Sequence, residues 1–249
     1  MKVTFLGTNG WYDTKTGNTT CTLIETEDYF IILDAGNGIH KLNNFIPESS
    51  KKPIFLFLSH FHIDHIEGLH ILSKFNFNQE INIYGQPGSK KILNTFVNEP
   101  YTVPFDKLPF KVEVYEIDEG IHHVPFIVES KYLIHSSRCM GYRFEIDDKI
   151  IAYCTDTGTS ENVYKLAENA DLLITECSLK MGQSNPDWPH LNPEDAIKIA
   201  EKSGAKRLAL THFDANIYSS IDERKYIAIQ TKDSFKNIIV SFDGLDINL

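Results

Sequence analysis

The 249-residue chain is 42% hydrophobic and 23% charged, enough length and apolar content for one large α/β domain over residues 1–249. No apolar run approaches the roughly 18 residues of a membrane span. The start MKVTFLGTNG lacks the h-region and cleavage site of a signal peptide, so a cytoplasmic protein with no membrane partner is expected. A net charge of −10 disfavours extended contact with nucleic acid, which needs clustered Lys and Arg. It leaves room for a small phosphate ester, because bound metal ions supply positive charge locally.

In chain order, residues 3–6 read as a first strand, stopped by a turn with Gly7 and Gly10. Residues 21–25 and 29–33 alternate as β runs around the turn 26–28, a hairpin pattern. Ile39, Leu42 and Phe45 then recur at helical spacing, and residues 54–58 are a continuous apolar run of the kind a fully buried strand shows. A helix is expected to begin about Glu67, with Ile66, Leu69, His70 and Leu72 in an amphipathic pattern and His70 a helix-surface or core residue rather than a ligand. Residues 81–85 are another strand, followed by a helix with Ile92, Leu93 and Phe96. Residues 98–110, rich in proline and aromatics, read as an ordinary connection, with a lid as the alternative; residues 180–189 are a second candidate lid. From 111 to 153 the pattern is mainly β, in the runs KVEVYEI, PFIVES, KYLIH, MGYRFEI and KIIAYCTD. A helix near 161–168, a strand 172–175, a helix 193–202 and a strand 207–210 complete the pattern. Asn192-Pro193-Glu194-Asp195 supplies the cap, first-turn proline and early acids of the longer helix. Two packed sheets with helices outside, and loops from both halves meeting at one edge, are the simplest architecture.

Directly after the buried strand stands HFHIDH, with His60, His62, Asp64 and His65. Three imidazoles and a carboxylate in six residues are costly to order unless something binds them, and both are ligands that Zn²⁺ takes at about 2.0–2.2 Å. One loop of alternating ligands can face two metal positions. Three further candidates each end an apparent strand: His135, Asp156 and His212. Strand ends hold side chains rigidly, as a catalytic site requires. The four cysteines, Cys21, Cys139, Cys154 and Cys177, are widely spaced and read as buried hydrophobes, with neither disulfide nor metal assigned.

With these residues in place, HFHIDH resembles the H-x-H-x-D-H signature of the metallo-β-lactamase superfamily. The segments MKVTFLGTNG, YFIILDAGNG, HSSRCMGYRFE, IAYCTDTG and HLNPEDAIKIAEKSGAKRLALTHF resemble its ribonuclease Z and phosphodiesterase branch. The resemblance implies a four-layer αβ/βα sandwich with two divalent ions at the sheet edge, zinc foremost and Mn²⁺ or Fe²⁺ as alternatives. It implies that His60, His62 and His135 hold one ion, that Asp64, His65 and His212 hold the other, and that Asp156 bridges them. His62 stands where redox-active di-iron relatives resemble H-x-E-x-D-H, which favours a hydrolase. Glu176 and His190 match positions that assist catalysis in ribonuclease Z. Homodimers would fit the family.

One departure matters. Ribonuclease Z carries a long glycine- and basic-rich arm between the equivalents of His135 and Asp156, where this chain has room for two strands and a turn. The resemblance therefore favours armless relatives that act on small phosphodiesters, including cyclic nucleotides, over pre-tRNA. The expected mechanism is in-line attack at phosphorus by a water-derived nucleophile oriented by Asp64, with His190 protonating the leaving alkoxide. Trp188 and Tyr12 are candidates for stacking on a ring of the substrate, and Phe61 is expected to pack inward. Two other readings stand beside this one: hydrolysis of a thioester, lactone or sulfate ester on the same metal centre, and a metal-holding sensor without turnover.

Overall fold

The computed structural model covers residues 1–249. Its first sheet contains β1 (Lys2–Gly7), β3 (Cys21–Glu25), β4 (Phe30–Leu33), β5 (Ile54–Phe57), β6 (Ile81–Gly85), β7 (Val112–Glu116) and β16 (Asp246–Asn248), in the order β16-β1-β3-β4-β5-β6-β7. The pairs β16–β1, β1–β3 and β3–β4 are antiparallel, the last a hairpin, and the pairs from β4 to β7 are parallel. The second sheet contains β8 (Gly120–His123), β9 (Ile127–Leu133), β10 (Cys139–Ile146), β11 (Lys149–Cys154), β12 (Leu172–Glu176), β13 (Leu208–Thr211) and β15 (Ile238–Val240), in the order β15-β13-β12-β11-β10-β9-β8. It too is antiparallel at one end and parallel at the other. A two-stranded link of β2 (Asn9–Gly10) and β14 (Phe213–Asp214) ties the halves together beside the site.

Three cores separate four layers. An aromatic one between the sheets includes Phe5, Phe55, Phe57, Tyr142, Phe144 and Tyr153. Two outer, mainly aliphatic cores lie under the helices of each half. The helices are α1 (Ile63–Ile66), α2 (Ser89–Phe96), α3 (Glu161–Ala167), α4 (Pro193–Ser203) and α5 (Ile221–Gln230), with 3-10 segments at Asn37–Asn44 and Glu67–Lys74. Burial of every residue of β5 explains its continuous apolar run, and β4, expected to alternate, is corrected: FIIL is apolar and buried throughout. Helix α4 begins as its sequence signals: the Asn192 side chain accepts from the Asp195 amide, Pro193 occupies the first turn, and Gly204 ends it in the left-handed conformation.

Several expectations are corrected. Helix α1 begins inside the histidine loop, four residues before Glu67, so Asp64 and His65 occupy a helical turn rather than a loop; the continuation is a 3-10 segment. The Ile39–Phe45 periodicity is likewise 3-10. The runs PFIVES and KYLIH form one strand, β9, which pairs with an unanticipated β8. Between His135 and Asp156 lies a tight hairpin of β10 and β11, turned by Asp147 and Asp148 with φ of 52° and 57°, the two-residue geometry that suits strand twist. No helix is long and apolar enough to cross a membrane.

Candidate metal centre

The site forms where strands from both sheets end. The loop after β5 delivers His60 and His62, α1 delivers Asp64 and His65, and the ends of β9, β11 and β13 deliver His135, Asp156 and His212. Asp34, Asp156 and His212 all adopt left-handed backbone conformations, with φ of 56°, 53° and 51°. Such conformations cost about 1–3 kcal/mol each for residues other than glycine and concentrate at functional sites. The reason here is geometric: each chain must turn sharply at a strand end to aim its side chain back over the sheet edge.

Two clusters result: His60, His62, His135 and Asp156 in one, and Asp64, His65 and His212 in the other, with ligand atoms within 4.8 Å of one another. Asp156 sits between them. Its Oδ2 lies 3.6 Å from both His60 Nε2 and His135 Nε2 and 3.5 Å from His65 Nε2, while Oδ1 lies 3.0 Å from His212 Nε2. Within the second cluster His65 Nε2 is 3.1 Å from His212 Nε2, and Asp64 Oδ2 is 3.3 Å from His212 Nε2. A tetrahedral ion with bonds of about 2.0–2.2 Å places its ligands about 3.3–3.6 Å apart, so these separations fit an ion in each cluster. His60 Nε2 is buried and has no hydrogen-bond partner, the state expected of a nitrogen that awaits an ion. All-nitrogen and oxygen donors suit a divalent cation.

The second ring nitrogens of His60, His65 and His212 are held from behind. Asp34 accepts from Ser59 N, Ser59 Oγ, Tyr153 Oη and His65 Nδ1, at 2.7, 2.8, 2.8 and 2.8 Å. Ser59 Oγ also lies 3.0 Å from His60 Nδ1, and Ser178 Oγ lies 3.3 Å from His212 Nδ1. Such partners fix ring orientation and tautomer, leaving Nε2 for the ion. Burial holds His60 well below the usual imidazole range, keeping it neutral. Burial opposes ionisation of Asp156, but His212 and the other surrounding rings outweigh it and hold the carboxylate well below its ordinary range.

The cavity over this floor holds about 260 Å³ and is lined by Gly10, Trp11, His62, Ile63, Asp64, Asp156, Ser178, Trp188, His190, His212 and Asp214. His190 Nδ1 bonds Glu176 Oε1 at 2.7 Å, and the same oxygen accepts from Thr157 N. Burial works against the charged ring, yet the Glu176 carboxylate wins and pushes His190 up to about 9. Glu176 is fully buried and does not line the cavity, so it reaches a substrate only through His190. Trp188 of residues 180–189 lies over the site, its ring parallel to His62 within 5° at 6.2 Å. Residues 98–110 instead send Phe105, Leu108 and Phe110 onto an outer core.

Tyr12 does not line the cavity; its neighbour Trp11 does, with its amide donating to Asp64 Oδ2 at 2.7 Å. Phe61 packs half-buried on the outer core, and His70 is exposed, bonded to its own 3-10 segment. All four cysteines are buried and unpaired. Asp34, Ser59 and Trp11 were not anticipated. Asp34 alone had a signal: a carboxylate ending the apolar strand FIIL, as Asp156 ends another.

The family model described as a beta-lactamase superfamily domain matches residues 29–213. Ribonuclease Z of Bacillus velezensis is 26% identical over 310 aligned positions, covering 100% of this chain and 99% of that protein; the relative therefore contains segments without counterpart here. The probable metallo-hydrolase YhfI of Bacillus subtilis is 28% identical, covering 85% of this chain and 86% of its own, and its crystal structure superposes with a TM-score of 0.78 over 99% and 98% of the two chains. A diphosphatase of the PhnP family has the same fold, with a TM-score of 0.73 at 17% identity, over 100% and 97% of the chains. The chain belongs to the metallo-β-lactamase superfamily, in its ribonuclease Z-like branch of metal-dependent hydrolases.

Proposed function

We propose that the protein hydrolyses small phosphodiesters on a two-metal site. His60, His62 and His135 would hold one ion, Asp64, His65 and His212 the other, and Asp156, which lies between the two clusters, would serve both. The observation that carries the reading is the convergence of both clusters on Asp156 at the floor of one cavity that the His190–Glu176 pair borders. When bound, such a metal pair lowers the pKa of water and takes up negative charge developing on the phosphoryl oxygens.

The chain's own residues do the rest. Asp64, steadied by the Trp11 amide, accepts a hydrogen bond from the attacking water and aligns it with phosphorus. A new P–O bond forms to the water oxygen, whose proton is released to solvent, as the bond to the leaving arm breaks. His190 is fixed through Nδ1 by Glu176, which leaves Nε2 to give its proton to the leaving oxygen. That acid favours an oxygen leaving group. An alkoxide needs a proton in the transition state, whereas a thiolate, whose thiol has a pKa of about 8.5, departs without one. Three features support a small substrate over RNA: the tight β10–β11 hairpin, the net charge of −10, and a cavity lined by no lysine or arginine.

The test is hydrolysis of bis(p-nitrophenyl) phosphate by protein loaded with Zn²⁺ or Mn²⁺, beside a phosphomonoester, a thioester, a lactone and a sulfate ester. Diester turnover that disappears in His60→Ala supports the reading. Absence of diester turnover with about two ions bound per chain refutes it, and turnover of another ester would name the replacement.

A further inference from the structure

The chain contains two tryptophans, and both stand at the mouth of this cavity. Trp11 is 67% exposed and Trp188 41%, with Ile63 at 59% beside them. Large apolar side chains left in water around a cleft mark a surface awaiting a ligand. Neither indole is there by accident of a loose loop. Trp11 takes a left-handed backbone, with φ of 75°, and its amide is bound to Asp64. Behind it, the Asn9 side chain donates to Tyr12 O, Thr14 Oγ1 and Gly17 O. Asn9 is in turn held by the fully buried Arg224 guanidinium. Trp188 is braced by its amide on Asn185 and by the His62 ring.

The charged groups complete the picture. Beyond the floor the wall carries Asp214, whose Oδ1 accepts two backbone amides, and no lysine or arginine; its one cation, the His190 ring, is already paired with Glu176. A phosphoryl group finds its counter-charge at the metal floor, whereas an anionic arm would meet Asp214 and two indoles. We propose that the substrate is a phosphodiester with one uncharged aromatic or heteroaromatic arm, held against Trp11 and Trp188. This rests on the phosphodiesterase reading above and narrows it from any small diester to ring-bearing ones. Trp11 and Trp188 are specificity-determining residues, because stacking discriminates flat rings from aliphatic groups of similar size.

The test uses competitive inhibition of bis(p-nitrophenyl) phosphate hydrolysis by four diesters with a common methyl arm: phenyl, cyclohexyl, ethyl and 4-carboxyphenyl methyl phosphate. Quenching of tryptophan fluorescence reads the same binding without turnover. The phenyl ester should bind roughly 10-fold or more tighter than the ethyl ester and tighter than the cyclohexyl one, with quenching, and the 4-carboxyphenyl ester more weakly than phenyl. Trp11→Ala and Trp188→Ala should each shrink the phenyl-to-ethyl ratio. Equal binding of phenyl and ethyl esters by the unaltered protein overturns the inference without reference to any variant's folding. So does a ratio that survives in both variants, or tighter binding of the 4-carboxyphenyl ester. Absence of any hydrolysis would instead refute the phosphodiesterase reading, and the fluorescence titration would still report on the ring.

Discussion

Asp34 offers the most informative single substitution. Its carboxylate is fully buried and accepts four hydrogen bonds, from Ser59 N, Ser59 Oγ, Tyr153 Oη and His65 Nδ1. In Asp34→Asn the shape is kept but one oxygen becomes an NH₂ group. If the NH₂ faces Ser59 N, two donors oppose each other. If it faces His65, the ring must accept at Nδ1 and carry its proton on Nε2, the atom that faces His212 and Asp156. Hydrogen bonds to charged groups contribute about 1.5–3 kcal/mol each, and hydroxyls can rotate to adapt, so a net loss of about 2–4 kcal/mol is expected. Because the wrong tautomer blocks a ligand nitrogen, metal affinity should fall about 10- to 100-fold. The fall should be larger at the Asp64–His65–His212 cluster than at the other. Urea denaturation and calorimetric Zn²⁺ titration measure the two quantities. An Asn variant that binds both ions with unaltered affinity would refute the claim that Asp34 sets the His65 tautomer.

Three other outcomes follow from the same geometry. Glu176→Gln removes the carboxylate that holds His190 up at about 9, so the ring loses its proton at lower pH. With a dialkyl diester, whose alkoxide must be protonated to leave, the alkaline fall in kcat/KM marks loss of the acid and should shift downward in pH; an unmoved limb with that substrate would exclude His190 as the acid. Arg224→Met leaves Thr8, Asn9 and Thr16 without their buried donor and removes the cation over Phe213. With each orphaned polar group costing about 1–3 kcal/mol, the melting temperature should drop, and Trp11 fluorescence in a Trp188→Phe background should report a loosened loop. Adding Zn²⁺ to metal-free protein should raise stability by about 4 kcal/mol at a free concentration 1,000 times Kd, an increment that His60→Ala and His212→Ala should each reduce.

Much of this was legible in the sequence because its signals are local or repeated. HFHIDH places four candidate ligands in six residues after a strand buried along its length, and His135, Asp156 and His212 share the same strand-end position. Helix α4 could be read, as 193–202, from its cap, first-turn proline and early acids. What escaped depends on distant partners. Asp34 is one acid among many until folding brings Ser59, His65 and Tyr153 around it. Trp11 and Tyr12 are adjacent and chemically alike; the left-handed turn at Trp11 decides which faces the cavity. Helix α5 shows little sequence signal because its apolar residues point several ways: Ile227 inward, Tyr226 and Ile229 to solvent. The 3-10 segments mimic α-helical spacing over so few residues that periodicity does not separate them.

The central claim, a phosphodiesterase that depends on both ions, is tested most directly by measuring bis(p-nitrophenyl) phosphate turnover against the number of ions bound per chain. Metal-stripped protein is titrated with Zn²⁺, and bound metal is determined elementally at each point. The account predicts turnover that rises as the second ion fills and stays absent in His60→Ala at every metal level. Turnover by the stripped protein, or none with both clusters filled, would contradict it.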